Sequence, residues 1–301
     1  MSSGHHHLAR LDGCRAIAIL TVMMGHMLPV GRAEWGGNVA ISAIGMAVFF
    51  ALSGFVIGLL VGMTGVGGGA LMTPLLILLF GVHPATAVGT DLLYAAATKT
   101  VGTTVHGWRG TLDWSIVRRL ALGSVPTTIV TLLLLGQASE HSSATQHLLA
   151  TLLGVVLVVS AVATLLRHRI VAALTPRLGE TDGREPVALT VLLGAILGVL
   201  VSLTSVGAGA LGMTALLVLY PRHPLKSLVG ADIAHAVPLT LLAGTGHWLL
   251  GSVDLGLLGS LLIGSIPGIV VGSLLAGVMR EAALRPVLAT VLAIVGVKLL
   301  L

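Results

Sequence analysis

Long apolar runs separated by short polar connections make up most of the chain. A helix needs about 20 apolar residues to cross a bilayer. Runs of about this length lie near 14–31, 38–62, 84–106, 115–136, 145–166, 186–205, 226–248, 255–277 and 283–301. Two shorter stretches, near 69–81 and 209–220, follow glycine clusters and are either short spans or re-entrant segments. The pattern predicts an all-α polytopic membrane protein with about 11 transmembrane segments.

The polar connections indicate how these spans are oriented. The longest, 167–186, contains four arginines, and basic connections stay in the cytoplasm. If both short stretches cross, the other basic connections also face the cytoplasm, and they lie near 109–119, 222–226 and 280–285. The connections without Lys or Arg then face outward, at 136–145 and 249–254. An 11-span arrangement fits best, although it leaves Arg32 and Lys298 on the outer side.

Composition supports a location in the cell membrane. Hydrophobic residues make up 55% of the chain and charged residues 9%, whereas soluble domains carry about 25% charged residues. The chain has 40 glycines, and small residues let helices approach closely in lipid. These figures exclude a soluble enzyme, a disordered chain and a nucleic-acid binder. Cys14 is the only cysteine, which excludes an intrachain disulfide and a thiolate metal cluster.

An internal repeat organises the chain. The segment Val61–Leu71 resembles Val201–Leu211, and His83-Pro84 recurs as His223-Pro224 at the same offset. After a shift of one position, Gly89, Asp91, Thr104, His106, Gly110, Asp113, Gly123, Ser124 and Pro126 match Gly230, Asp232, Thr245, His247, Gly251, Asp254, Gly264, Ser265 and Pro267. So many identities in register are a strong sign of duplication.

The two copies are expected to be inverted in the membrane. Each contains about five apolar segments, and an odd number of crossings reverses the orientation of the second copy. We therefore predict two inverted repeats of five segments with glycine-broken short helices. The predicted division is a tail and first helix over 1–37, repeat 1 over 38–166, a cytoplasmic loop over 167–186 and repeat 2 over 187–301. This build is typical of secondary transporters, which bind substrate near the midplane between the repeats.

The two glycine clusters are candidate substrate-binding segments. Their glycines either allow tight helix packing or break the helices, so that backbone N–H groups face an anion. Breaks at equivalent places in both repeats favour the second interpretation. The candidate residues are Thr64, Gly65, Gly67, Gly68 and Gly69 in the first repeat and Thr204, Ser205, Gly207 and Gly209 in the second.

Three ionisable residues lie within or at the edge of apolar segments, where charge is costly and usually functional. Asp91 and Asp232 occupy equivalent positions and either cap helices or couple transport to protons. Lys99 lies inside the 84–106 span, where its charge either binds an anion or reaches the cytoplasmic surface by snorkelling. Asp91 lies two helical turns before Lys99 and is a candidate partner for it.

Several other polar residues have milder interpretations. His106, His247, Asp113 and Asp254 are expected at helix ends near water, as caps or loop anchors rather than ligands. A proton-coupling role stays open for His106 and His247. His235 is interpreted as a packed polar residue. No metal site and no cofactor are expected.

Several of these motifs resemble a known family. Gly65–Gly69 after an apolar helix, Gly89-Thr90-Asp91 and the stretch from His106 to Trp114, together with their second copies, resemble the TauE/SafE sulfite exporter family over about residues 58–301. The resemblance implies export of small sulfur-containing anions, such as sulfite or sulfoacetate, coupled to an ion gradient. The expected partners are therefore this anion and the lipid bilayer, with homodimer assembly left open.

The beginning of the chain, up to Gly58, resembles a different family. Leu11–Leu20, Gly25-His26 and Phe49–Ile57 are similar to the opening of membrane acyltransferases of the O-antigen acetylase type. In that family, the first helix carries an Arg and a His spaced like Arg15 and His26. The remaining helices of such an enzyme are missing, so a fused or truncated fragment without catalytic activity is expected. The alternatives to a transporter are therefore a passive anion channel and a remnant acyltransferase.

Overall fold

The computed structural model describes residues 39–64, 69–78, 80–108, 112–138, 143–179, 185–275 and 281–301. The helices are α1 (Val39–Thr64), α2 (Gly69–Leu78), α3 (Pro84–Trp108), α4 (Trp114–Gln137), α5 (Ser143–Leu165), α6 (Arg167–Leu178), α7 (Val187–Thr204), α8 (Met213–Leu219), α9 (Leu225–Leu249), α10 (Leu255–Leu275) and α11 (Glu281–Leu300). A π-helical turn, Ala208–Gly212, leads directly into α8.

The prediction of an all-α, multi-pass membrane protein is confirmed. Among the described residues, 5 helices are long and apolar enough to cross a membrane: Trp114–Gln137, Ala144–Leu165, Val187–Thr204, Leu225–Leu249 and Leu255–Gly272. Shorter apolar helices cover Val48–Leu59, Ala208–Leu219 and Ala289–Leu300. The helices begin and end close to the predicted boundaries, while the predicted first span, 14–31, lies outside the described residues.

The connection predicted over 167–186 is more ordered than a polar loop. Its first part forms α6, which packs against α8. In α6, Arg167, Arg169 and Arg177 flank an apolar run that includes Ile170 and Val171, and this combination gives a short amphipathic helix. The arginines lower the overall hydropathy of the segment, so long apolar runs alone do not indicate this helix.

The broadest helix–helix contacts join the two halves of the chain. They pair α1 with α10, α4 with α7, α3 with α9, and α5 with α11. By the repeat, α1 corresponds to α7 and α4 to α10, so the first two pairs are the same interface with the halves exchanged. The other two pairs each join a helix to its own counterpart. Such reciprocal contacts are what a two-fold relation between two units produces.

Glycines show this reciprocity at single positions. A Cβ added at Gly54 of α1 would overlap the carbonyl oxygen of Leu261 in α10. At Gly194 of α7, a Cβ would overlap the carbonyl oxygen of Leu120 in α4. In the register of the repeat, Gly194 is the counterpart of Gly54, and Leu261 is the counterpart of Leu120. Both interfaces therefore rely on the same backbone-to-backbone approach.

The central pair, α3 and α9, packs antiparallel. Gly89 near the start of α3 lies against the Cβ of His247 near the end of α9. Further along, Gly244 of α9 lies against the side chain of Leu93 in α3. The two equivalent helices therefore run in opposite directions through the middle of the protein.

The close contact between α1 and α10 predicts that a methyl group added at this interface lowers the stability of the protein. A Cβ at Gly264 would overlap the carbonyl oxygen of Ala51, whereas a Cβ at Gly259 of the same helix meets nothing within 4 Å. We expect Gly264→Ala to destabilise the protein by about 1–3 kcal/mol, the usual cost of overpacking. Gly259→Ala is the matched control and is expected to unfold like the parent.

The measurement is thermal unfolding of the detergent-purified protein, followed by loss of the monodisperse peak in size-exclusion chromatography. Equal melting temperatures for Gly264→Ala and Gly259→Ala would show that the α1–α10 interface yields easily to an added methyl group.

Candidate functional site

The second half contains a break between two helices at the predicted glycine cluster. Helix α7 ends at Thr204, and Ser205 follows in the left-handed conformation with φ of 58°. Gly207 has φ of 125°, a backbone conformation that side chains with a Cβ rarely adopt. The Thr204 hydroxyl accepts a hydrogen bond from the Val206 N–H at 3.2 Å and donates to the Leu200 carbonyl at 2.7 Å. The break is thus built by specific local contacts.

The break brings a helix start into the protein interior. The first N–H groups of a helix have no acceptor within it, and here the helix starts at the buried residues Gly207 and Ala208. The nearest atoms to a Cβ at Gly207 belong to Leu197, Leu200 and Val201, at 3.8 Å or more. Free N–H groups at a buried helix start favour a negatively charged group.

The equivalent break in the first half is described only at its edges. Helix α1 ends at Thr64 and α2 begins at Gly69. Gly65, Gly67 and Gly68 lie outside the described residues. The predicted roles of Thr64 and Gly69 therefore stay predictions.

Asp91 of α3 lies beside this second-half break. It is fully buried, and the Thr73 hydroxyl of α2 donates a hydrogen bond to its Oδ2. The Ser205 hydroxyl faces the same carboxylate. Oδ1 of Asp91 has no hydrogen-bond partner in the part of the chain that the structure describes. Asp91 therefore contacts side chains from both halves of the chain.

Asp232 occupies the equivalent place on α9. It is 6% exposed, and a Cβ added at Gly212 in the π-helical turn would lie 2.7 Å from its Oδ1. Within the described ranges, this Oδ1 also has no hydrogen-bond partner. Each half thus contributes one buried carboxylate next to the discontinuous helix of the second half.

Lys99 of α3 brings the two carboxylates into one group. It is partly buried and lies close enough to both Asp91 and Asp232 for electrostatic interaction. Arg167, buried at the start of α6, also acts on Asp232. We call Asp91, Lys99, Arg167 and Asp232 the charge cluster. The prediction that Asp91 could partner Lys99 agrees with this arrangement, whereas the sequence does not predict the second carboxylate or Arg167 as members.

The cluster is asymmetric between the halves. Thr240 stands at the position equivalent to Lys99 in the register of the repeat. Thr240 is buried, and its hydroxyl donates to the Ala236 carbonyl of its own helix at 2.7 Å. The ammonium group therefore comes from the first half only.

The capping interpretation of Asp91 and Asp232 is wrong. Both residues lie about two turns inside α3 and α9, where the backbone N–H groups already bond within the helix. Asp113 and Asp254 are caps, as predicted. Asp113 accepts bonds from the N–H groups of the first turn of α4, and Asp254 does so at the start of α10.

The predicted location of His247 near water is also wrong. Its side chain is fully buried, and Nε2 donates a hydrogen bond to the Ser202 carbonyl of α7 at 2.9 Å. The close packing of α3 on α9 at Gly89 places this helix end inside the protein. His106, its counterpart, belongs to α3, but its side chain is outside the described part.

A pair of buried polar contacts connects the halves beside the cluster. Nε2 of His235 and the Ser124 hydroxyl share a hydrogen bond of 2.8 Å between α9 and α4. In the equivalent positions, the Tyr94 hydroxyl faces Ser265 between α3 and α10. The interpretation of His235 as a packed polar residue agrees with its full burial. The register of the repeat matches Ser124 with Ser265, and this match is the sequence signal for the pairing.

The outer parts of the halves differ in polarity. In the second half, Tyr220 bonds to the Thr190 hydroxyl at 2.7 Å and accepts a bond from Arg119 at 3.2 Å. Arg119 also forms an ion pair with Glu185. In the first half, the residues equivalent to Thr190 and Tyr220 are both phenylalanines, Phe50 and Phe80, whose ring centroids lie 4.7 Å apart. The contact at this position is therefore polar in the second half and aromatic in the first.

The N-terminal acyltransferase resemblance has no structural support. Arg15 and His26 lie outside the described residues. The segment Phe49–Ile57, which shared that resemblance, belongs to α1 and packs against α10 as part of the repeated architecture.

Comparison with known proteins agrees with this architecture. The chain is 38% identical over 256 residues to "Probable membrane transporter protein YjnA" of Bacillus subtilis (strain 168), covering 85% of this chain and 100% of the relative. It is 32% identical over 83 residues to "Probable membrane transporter protein YunE" of the same organism, covering 28% of this chain and 29% of that relative. No solved structure matches the chain. The family model described as "Sulfite exporter TauE/SafE" matches residues 50–299, and the chain therefore belongs to this family of membrane proteins.

Proposed function

We propose that the protein is a secondary transporter that exports small sulfur-containing anions, sulfite or organosulfonates, across the cytoplasmic membrane. The observation that carries this proposal is the charge cluster, buried between two equivalent halves beside a discontinuous helix. Secondary transporters place substrate sites at such a position. The description of the family supports the sulfur oxyanion as substrate.

The proposed anion site combines a cation with backbone N–H groups. In this proposal Lys99 supplies the charge, and the buried helix start at Gly207 supplies the donors. Charges interact far more strongly there than in water, because the surroundings polarise less. The proposed substrate-binding residues are Thr64, Gly65, Gly67, Gly68, Gly69, Lys99, Thr204, Ser205, Gly207 and Gly209, with Asp91 and Asp232 as proton-coupling residues.

We also propose an inverted topology with 11 spans and a cytoplasmic 167–186 connection. The antiparallel packing of α3 against α9 supports it, because equivalent helices that run in opposite directions place the two repeats in opposite orientations. The reciprocal pairing of α1 with α10 and α4 with α7 supports the same two-fold relation. Residues 1–37 form a separate leading segment in this scheme.

Cysteine labelling tests this topology. In a Cys14→Ser background, Ser142→Cys and Thr181→Cys are expected to react with a membrane-impermeant maleimide from opposite sides, Ser142→Cys from outside and Thr181→Cys from inside. Intact cells and inside-out vesicles provide the two readouts. Labelling of both positions from one side would contradict the inverted arrangement.

A transport panel tests the function itself. Purified protein in liposomes is expected to release loaded sulfite, sulfoacetate or thiosulfate faster than protein-free vesicles, at rates that saturate with anion concentration. A passive anion channel would instead give flux that rises without saturation and does not respond to an imposed pH gradient. Release of none of these anions would refute the proposed function.

A further inference from the structure

We infer that an anion binds the charge cluster together with one proton, which is taken up by Asp91 or Asp232, so that both cross the membrane in the same direction. This inference rests on the proposed function and adds the number of protons that accompany each anion and the direction in which they move. It follows from the balance of charges around Lys99 and from the unpaired oxygens of the two carboxylates.

The cluster is electrically balanced when all four members are ionised. Lys99 and Arg167 contribute two positive charges, and Asp91 and Asp232 contribute two negative charges. The groups that face the carboxylates from the neighbouring elements are Thr73 of α2, Ser205 of the break, Tyr94 and Lys99 of α3, Arg167 of α6, and Gly212 of the π-helical turn. His235 of α9 faces Lys99. The positive charge that would hold an anion is therefore already shared by two carboxylates.

Binding an anion alone would leave this group with a net negative charge in the protein interior. Charges interact more strongly in such a site than in bulk water, so this net negative charge would oppose binding of the anion. A proton added to one carboxylate removes one negative charge and frees the Lys99 ammonium for the anion. A monovalent anion with one proton then leaves the net charge of the cluster unchanged.

The structure offers a place for this proton. Oδ1 of Asp91 and Oδ1 of Asp232 are unpaired within the described part of the chain, and both residues are at least nine-tenths buried. The proton comes from water as an O–H bond forms on one carboxylate, and it returns to water when the anion leaves. No bond of the anion is made or broken.

His235 is a less suitable carrier of this proton. Its Nε2 already shares a hydrogen bond with the Ser124 hydroxyl. Protonating the ring would also place a third positive charge beside Lys99 rather than remove a negative one. Protonation of a carboxylate instead removes a negative charge beside Lys99, so it favours an anion without placing another cation next to the ammonium group.

Movement in the same direction distinguishes this arrangement from exchange. In an exchanger, proton and anion compete for one site, so each leaves when the other binds. Here the two charges attract, so binding of either raises the affinity for the other by the same factor. Export is then driven by the outward gradient of the anion and is opposed by acid outside the cell.

The test measures both ions in the same vesicles. Liposomes containing the full-length protein and trapped pyranine are held at zero membrane potential with potassium and valinomycin, and inward flux of radiolabelled thiosulfate, methanesulfonate and sulfite is followed. Protein-free vesicles correct for sulfite that crosses as its neutral acid. We expect the vesicle interior to become more acidic as each carried anion enters, with about one proton per anion for methanesulfonate. An acidic external solution is expected to raise the internal anion concentration at least fivefold above the external one.

Carboxylate variants complete the test. Asp91→Asn and Asp232→Asn are each examined, with Asp254→Asn at the exposed cap of α10 as the control that keeps the coupling. At least one of the two cluster variants is expected to carry the anion with its proton flux reduced more than fivefold. If size-exclusion chromatography shows that either variant is misfolded, the proton-to-anion ratio measured with the parent protein still tests co-transport.

The outcomes separate the two proposals. Anion flux without proton movement, or with protons moving in the opposite direction, would overturn co-transport while leaving anion transport intact. If none of the three anions is carried, the proposed function fails, and this inference fails with it.

Discussion

Replacing Lys99 by methionine is expected to raise the half-saturating anion concentration for efflux at least tenfold, which corresponds to about 1.4 kcal/mol of binding free energy. Methionine has a similar length but no charge, and it leaves Asp91 and Asp232 to repel an anion. Lys99→Arg keeps the positive charge and is expected to retain part of the affinity. Efflux from proteoliposomes at several sulfite concentrations measures the change.

The matched control for this variant is Lys226→Met. Lys226 is exposed at the start of α9, so the substitution removes a lysine charge from the same protein without touching the cluster. Affinity is expected to stay at the parent value in this control. An unchanged half-saturating concentration in Lys99→Met would return Lys99 to the snorkelling interpretation and leave helix N-termini as the anion site.

The second large effect is expected at Gly207. A Cβ there has no close neighbour, since the nearest atoms lie at 3.8 Å or more, but φ of 125° is a conformation that residues with a side chain rarely adopt. Gly207→Ala and Gly207→Val should therefore distort the break rather than collide with it. We expect efflux to fall by at least tenfold in Gly207→Val, while the protein still reaches the membrane.

Gly81 provides a control with a similar backbone requirement at a different place. It has φ of 63°, lies exposed in the connection before α3, and a Cβ added there would meet nothing within 4 Å. Gly81→Ala is expected to cost about 1–2 kcal/mol of stability and to keep efflux. Parallel measurement of melting temperature and efflux distinguishes the two glycines. Normal efflux by Gly207→Val would mean that the Gly207 backbone is not part of the anion site.

The helices are predictable because lipid requires every backbone polar group to be paired within its own segment. Each apolar run of sufficient length therefore becomes a helix, as α4, α7 and α9 show. Helix α6 is not predicted, because it contains no apolar run long enough to span the bilayer. It lies between spans, and its arginines hide a periodic apolar face.

The charge cluster is only partly predictable. Asp91 and Lys99 lie on the same helix about 12 Å of helix rise apart, a distance that the long lysine side chain can partly span. The approach of Asp232 depends on how α9 packs against α3, and apolar patterns do not encode which faces meet. The capping interpretation of both carboxylates fails because α3 and α9 begin directly at the His-Pro connections, earlier than that interpretation requires.

The unequal ends of the two halves have a consequence for the energetics of alternating access. If the halves exchange conformations during transport, the half with the hydrogen bond between Thr190 and Tyr220 and the half with Phe50 packed on Phe80 each adopt conformations that the other half cannot reproduce contact for contact. These contacts differ in chemistry, so the inward-facing and outward-facing states do not have equal free energies. The empty protein then rests mostly in one orientation, and an anion approaching from the other side binds with an apparent affinity reduced by the small population of the open form.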